Sequence, residues 1–238
     1  GTISFAGGTL QHSAANTTDY SVRFSTIQND YRIDTGGQNI TYATPLSGTT
    51  ASLTKSGAGT LTLSGANTYG GGTTISAGNL VLHGGLIDLS GKISGSGNLT
   101  IKPSETTKSI AIDKATGDQV VTQKTLDNIE LTGIVTLGGA EKIIFDSANF
   151  INGQNGNALV LIANKDIEFS SSQIQLGRSL EANSNSGSVR ITNSTITAGI
   201  EKKATDLEGP AVALLAGGQF SSSQSQPVTF SNCLTCDI

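Results

Sequence analysis

The chain predicts an all-β fold that coils as a solenoid, and three observations carry that expectation. Thr60-Leu61-Thr62-Leu63-Ser64 alternates small polar with apolar residues, the two-residue period of a half-buried strand. Glycine clusters (Gly57, Gly59 and Gly65, then Gly70-Gly71-Gly72, then Gly78) separate such runs at short, even intervals. Apolar positions also recur at rung-like distances. Leu61, Leu80 and Leu99 are evenly spaced; so, at a slightly wider step, are Phe145, Ile167 and Val189, with Val212 one position beyond the next step. Repetition at this period marks turns that bury their inner faces against one another. Stacked turns advance about 4.8 Å each, so ~20–22 residues per rung predicts roughly eleven coils and a rod near 50 Å long.

The segments follow in order. Gly1 to Pro45 reads as irregular short strands, with Tyr20, Val22 and Phe24 on one face, Tyr31-Arg32-Ile33-Asp34 before Gly36-Gly37, and then Ile40-Thr41-Tyr42. Leu53 to Leu80 reads strand, turn, strand, turn, strand; its abundant β-branched Thr and lack of a helical period argue against a helix. Leu80-Val81-Leu82, Leu86 to Leu89 and Asn98 to Ile101 continue it. Pro103 to Gln123 is charge-rich and reads as a rung with a polar excursion, the one place where a short helix competes. Clearer rungs return from Leu126 to Ala216.

The ordered phrases Leu53-Thr54-Lys55-Ser56-Gly57-Ala58-Gly59-Thr60-Leu61-Thr62-Leu63-Ser64-Gly65-Ala66-Asn67-Thr68-Tyr69, Gly71-Gly72-Thr73-Thr74 and Ala77-Gly78-Asn79-Leu80 resemble the passenger-associated repeat of bacterial autotransporters. Thr9 to Pro45 is similar to the segment that precedes this repeat in large secreted repeat proteins. Leu159 to Ile167 and Gly187 to Ile191 resemble the haemagglutinin-type β-helices of secreted adhesins. The resemblance implies a right-handed parallel β-helix exported across the outer membrane to the bacterial surface. One β-helix domain over 1–238 is expected, passenger-repeat-like over 1–102 and adhesin-like over 103–238. The chain starts in mid-repeat and contains no Met, which reads as a piece of a longer protein.

Charged residues make up 13% and the net charge is -4, so a clustered basic surface for nucleic acid is not expected. No apolar run is longer than Ala211 to Ala216, far short of the ~20 residues of a membrane helix, so no membrane insertion by this segment is expected.

Chemistry-bearing residues are sparse. Asp146, Glu168 and Arg190 each follow an inward apolar position and are expected to stack on the outer face of successive rungs. Two carboxylates about 4.8 Å apart suit acid–base work on a sugar or a calcium ion, but Arg in the same column favours an exposed ion ladder. Asp146 with Asp166, or Asp113 with Asp118, is the pair a glycan-cleaving β-helix would need. His12 and His83 lie some seventy residues apart with no third ligand spaced near either, and read as surface or turn-flanking residues. No metal or other cofactor is expected. Asn16, Asn39, Asn98 and Asn193 each open an Asn-X-Ser/Thr triplet, and read as parts of stacked polar ladders rather than glycan acceptors. Cys233 and Cys236 lack a second Cys pair or a nearby His. In an exported protein they are expected as a local disulfide, with an intermolecular link as the alternative.

The leading functional expectation is a non-catalytic surface or secreted β-helix, adhesin or stalk, contacting a host or neighbouring cell or a glycan. A subunit that self-associates end to end into a fibre, and a β-helical polysaccharide lyase or hydrolase, are the alternatives.

Overall fold

A computed structural model describes residues 1–25, 30–113, 116–152, 158–176, 178–197, 212–216 and 220–223. The chain winds as a parallel β-solenoid. The first turn holds β1 (Leu10–Gln11), the second β2 (Tyr31–Asp34) and β3 (Ile40–Tyr42), and the third β4 (Leu53–Ser56) and β5 (Thr60–Leu63). Next come β6 (Thr73–Ile75), β7 (Asn79–Leu82) and β8 (Leu86–Ile87), then β9 (Ile93–Gly95) and β10 (Asn98–Ile101). An insert carries β11 (Ile110–Asp113), β12 (Gln119–Val121) and the helix α1 (Gln123–Asp127). Above it lie β13 (Ile129–Leu131), β14 (Ile134–Ala140), β15 (Ile143–Asp146) and β16 (Asn149–Asn152). They are followed by β17 (Ala158–Ala163), β18 (Ile167–Ser170) and β19 (Gln173–Leu176), and by β20 (Leu180–Ser184), β21 (Val189–Thr192) and β22 (Thr195–Thr197). β23 (Val212–Ala216) and β24 (Phe220–Ser223) complete the described strands.

Among the described residues four sheets run along the rod: I (β1-β2-β4-β6-β9-β13), II (β3-β5-β7-β10-β14-β17-β20-β23), III (β8-β12-β11-β15-β18-β21-β24) and IV (β16-β19-β22). Their strands pair in parallel, as coils stacked in one sense require. Alternate residues point inward, and Ile33, Leu53, Leu61, Leu80, Leu99, Val135, Leu159 and Leu180 lie at or near full burial in one continuous core. The expected column Leu61–Leu80–Leu99 is in register.

The coil count differs from expectation. Sheet II has eight strands, about eight turns in place of eleven, and a length near 35 Å at ~4.8 Å per turn. Rungs are not uniform. Leu99 pairs with Val135 and Leu180 with Val212, each step more than half as long again as the one from Leu80 to Leu99. The first long rung contains the charged stretch. There β11 climbs to pair with β15, and the chain then drops back so that β12 fills the gap between β11 and β8. Gly117 packs on Ala111, which is fully enclosed although it sits on the outward side of its strand.

The charged stretch Pro103 to Gln123 forms strands β11 and β12, and the helix α1 begins only at its last residue and runs on beyond it, capped where the Thr122 side chain accepts from the Thr125 N–H. α1 closes the lower edge of sheet IV. Gln123 Oε1 accepts from the Asn149 N–H at 2.8 Å, and Gln123 Nε2 donates to the Asn149 carbonyl. One side-chain amide thus stands in for a neighbouring strand at an edge that would otherwise be unpaired. The cross-section changes at this level, from sheets I, II and III to sheets II, III and IV.

Corners are built differently on the two sides of the insert. Gly36, Gly57 and Gly78 recur once per coil with φ of 57°, 78° and 65°. A Cβ on Gly78 would lie 2.3 Å from the Gly59 oxygen and 2.6 Å from the Gly57 oxygen, so only glycine fits where backbone stacks on backbone. Above the insert the once-per-coil corners with left-handed backbone among the described residues are Ser147, Ser171 and Asn193, with φ of 57°, 49° and 47°, while Gly139 (φ 67°) sits at the irregularity within β14.

Candidate functional site

The passenger-like stretch explains itself residue by residue. Asn67 Oδ1 accepts from the Leu46 N–H of the coil below at 2.9 Å, while its Nδ2 donates to the Gly65 oxygen at 2.7 Å. Tyr69 enters the core and its hydroxyl meets Thr73 Oγ1 at 2.9 Å, which enclosure alone would leave unpartnered. Burial pushes the Tyr69 phenol up to about 12, with the Thr73 hydrogen bond working the other way.

Lys55 is the unexpected member. It occupies the inward column between Ile33 below and Ile75 above, fully buried. Its Nζ donates to Thr35 Oγ1 at 3.1 Å and to the oxygens of Ser56 (3.0 Å), Gly57 (2.5 Å) and Ala77 (3.1 Å). These carbonyls converge at the glycine corners of two successive coils, and the ammonium neutralises them. Burial pulls Lys55 down to about 8, opposed by the Asp34 carboxylate. Alternation with Leu53 puts the residue on the inward face, but a lysine there runs against its chemistry. Only the corner carbonyls make an inward lysine tenable.

On the outer face of sheet III the expected column is only partly formed. Glu168 and Arg190 are in register, and Arg190 Nη1 lies 3.0 Å from Glu168 Oε1. Asp146 is not in this column: it pairs with Ser170, while Glu168 pairs with Ile144. The rung that leaves Phe145 returns at Phe169 and not at Ile167, which slides Asp146 two positions along the strand. Val212 likewise belongs to sheet II against Leu180, and the partner of Val189 is Phe220. Lys142 takes the place beside the carboxylates. Its Nζ lies 2.9 Å from Glu168 Oε1 and 3.6 Å from Asp166 Oδ2, and Arg190 Nη1 lies 3.3 Å from Asp166 Oδ1. Burial pushes the Asp166 carboxyl up, but the Ser188 N–H, Arg190 and Lys142 together outweigh it and hold Asp166 below the usual carboxylate range. Two cations locked onto two carboxylates form a surface ion network.

The two candidate carboxylate pairs are both pulled apart. Asp166 precedes β18, whose first residue pairs with Ile143, whereas Asp146 ends β15. The two therefore sit four residues apart along the strand direction, about 13 Å at ~3.3 Å per residue. Asp118 binds Ser109 at the start of the β11–β12 pair, through the Ser109 N–H (2.8 Å) and Oγ (3.0 Å), and Asp113 ends β11 at the far side. Neither pair meets the ~5–9.5 Å separation of a glycosidase. The offset places Asp113 in register with Asp146 instead, a neighbour relation hidden from sequence by the insert. Among the described residues no group of three or more His, Cys, Asp or Glu is placed to hold a metal ion.

The histidines differ in burial. His12 is 2% exposed, not a surface residue. Its Nε2 lies 2.7 Å from the Tyr42 hydroxyl and its Nδ1 3.3 Å from the Asn16 oxygen. His83 is half-buried and flanks the Gly84-Gly85 turn as expected; burial lowers its pKa, and Lys102 adds to the effect.

Asn98 forms the expected ladder, donating to Asn79 Oδ1 at 3.0 Å and accepting from the Ile134 N–H at 2.8 Å. Asn39 accepts from the Thr60 N–H, and Asn16 bonds Tyr20. Asn193 stands at a corner. Cys233 and Cys236 lie outside the described residues. Among the described residues no helix is long and apolar enough to cross a membrane.

Comparison with known proteins agrees with this geometry. Residues 53–82 match the family model of the passenger-associated-transport-repeat. No curated protein and no solved structure matches the chain. A passenger repeat set within a continuous β-solenoid fits an autotransporter passenger and implies export to a surface or extracellular location.

Proposed function

We propose that this chain is a non-catalytic β-helical rod of an exported passenger, acting as an adhesin or as the stalk that presents one. The observation that carries the reading is the passenger repeat built into the wall of the solenoid, where Asn67 and Lys55 bond neighbouring coils, Tyr69 fills the core, and none is directed to a ligand. The carboxylates reinforce it: Asp166 and Glu168 are held by Lys142 and Arg190. The partner is a host or neighbouring-cell surface, with glycan as the chemistry that Asn- and Thr-bearing outer faces suit.

Binding of the purified chain to cultured host cells, before and after enzymatic removal of surface glycans, tests this. Saturable binding that falls on glycan removal is the result expected of an adhesin. If binding is absent, but adherence of the parent bacterium survives replacement of this segment by an unrelated rod of equal length, the segment is a stalk. Release of reducing ends from a polysaccharide would overturn the non-catalytic reading.

A further inference from the structure

Sheet II is the longest described sheet, and β3 is its edge on the Gly1 side, pairing with β5 alone among the described strands. An edge of this kind is a template for another chain unless something covers it. Here something does. After β1 the chain leaves sheet I at His12, whose N–H still bonds the Asp34 oxygen at 2.8 Å, and makes a tight turn in which Ser13 and Asn16 pair. It then passes beneath the end of β3 as the single helical turn Ser21–Arg23.

Two side chains from this segment occupy backbone groups at the end of β3. Asp19 Oδ2 accepts from the Ala43 N–H at 2.9 Å, and Ser21 Oγ accepts from the Thr44 N–H at 3.1 Å. Asp19 is itself held by the Ser21 N–H at 2.8 Å, and Ser21 is 3% exposed. Aromatic packing fixes the segment from inside: Phe24 meets the Tyr42 ring edge to face at 5.2 Å, and His12 stacks on Tyr20 at 6.2 Å. Burial pushes the Asp19 carboxyl up, but its bonds to Ala43 and Ser21 outweigh that and hold it below the usual carboxylate range.

We propose that Ser13–Phe24 is a built-in stop that ends sheet II at β3 and keeps a second copy of this chain from pairing there. The Asp19 carboxylate sits where an incoming strand would continue the sheet, and such a strand would have to displace it. A fibre made by stacking coils end to end is therefore blocked at this edge.

The test uses the full 238-residue chain. Asp19→Ala with Ser21→Ala frees the Ala43 and Thr44 amides, and sedimentation velocity is expected to show self-association at least about tenfold tighter than wild type. Asp30→Ala serves as control, because Asp30 caps Ser52 in a loop away from this edge. It is expected to behave as wild type. The milder Asp19→Asn, read by amide hydrogen exchange, covers the case in which the double variant fails to fold. Faster exchange at Ala43 is expected, with Thr44, held by Ser21, as the internal reference. A folded double variant that stays monomeric, equal association of Asp30→Ala, or unchanged exchange at Ala43 would each overturn the proposal.

Discussion

Below the insert, short and even rungs turn their corners on glycine and place a charged Lys55 inside; above it, longer and uneven rungs turn on serine and asparagine and place hydroxyls inside. The upper corners line up Ala148, Ser172 and Ser194 at one inward step. The Ala148 N–H bonds Ser172 Oγ at 3.1 Å, and the Ser172 N–H bonds Ser194 Oγ at 2.9 Å. The upper core also stacks Phe145 on Phe169, ring centroids 4.9 Å apart. Both designs solve one problem, the backbone groups left over where strands end and coils still touch. The lower coils solve it with close backbone contact and one ammonium, the upper with a hydroxyl per coil. The lower solution tolerates little variation in wording, which is why that half carries a recognisable motif.

Substitutions should separate the two designs, and the largest effect belongs to the lower corners. Gly78→Val puts a branched side chain at a positive φ against two carbonyls, and is expected to cost more than about 3 kcal/mol in chemical denaturation. The matching change in the upper half, Ser171→Val, meets no glycine-type stacking and should cost distinctly less. Equal costs would erase the distinction.

Lys55→Met comes next. It keeps an inward chain of similar length but strips a donor from three carbonyls, for an expected loss of about 3 kcal/mol. The pH dependence carries an independent signature. Lys55 sits near 8 in the folded protein against an ordinary 10.5. Below pH 8 both states hold the proton; between the two values only the unfolded state does, so stability rises with pH across that window and levels above it. The rise, on the order of 2–3 kcal/mol at most, should be present in wild type and missing in Lys55→Met when thermal melts are compared at about pH 7.5 and 10.

In the upper half, Ser172→Ala removes the acceptor of the Ala148 N–H and should cost about 1–2 kcal/mol without changing the pH profile. The smallest effect is expected at the surface. Glu168→Gln weakens the Lys142–Arg190 network by about 0.5 kcal/mol at low salt and by less at high salt. Asp166, held low by its partners, contributes stability above the ordinary carboxylate range that is lost as pH falls through its folded value. A larger loss in Glu168→Gln than in Ser172→Ala would mean that the upper coils depend on ionic contacts and not on inward hydroxyls.

How much was legible follows the same division. In the lower coils successive rungs are nearly equal, so the spacing of Leu61, Leu80 and Leu99 is also their contact register. In the upper coils the long rung from Leu99 to Val135 is followed by rungs of unequal length. A fixed step read from Phe145, Ile167 and Val189 therefore misplaces Asp146 while still aligning Glu168 with Arg190. A slip of two positions keeps the same face inward, so it leaves the hydrophobic pattern intact and goes unnoticed. His12 and Tyr42, thirty residues apart, meet through a coil closure that no local pattern encodes.

Alternation and glycine spacing by themselves determined that this chain is a β-solenoid, because both follow from local geometry repeated many times; the passenger repeat in its wall was legible only as a resemblance in the ordered wording of residues 53–80. The tertiary structure alone decided the number of turns, the strand that doubles back, the helix that closes sheet IV and the carbonyls that hold Lys55. Those depend on which coil lies above which, and stacking order is set by contacts between residues distant in the chain, where insert lengths and single side-chain bonds outweigh the period.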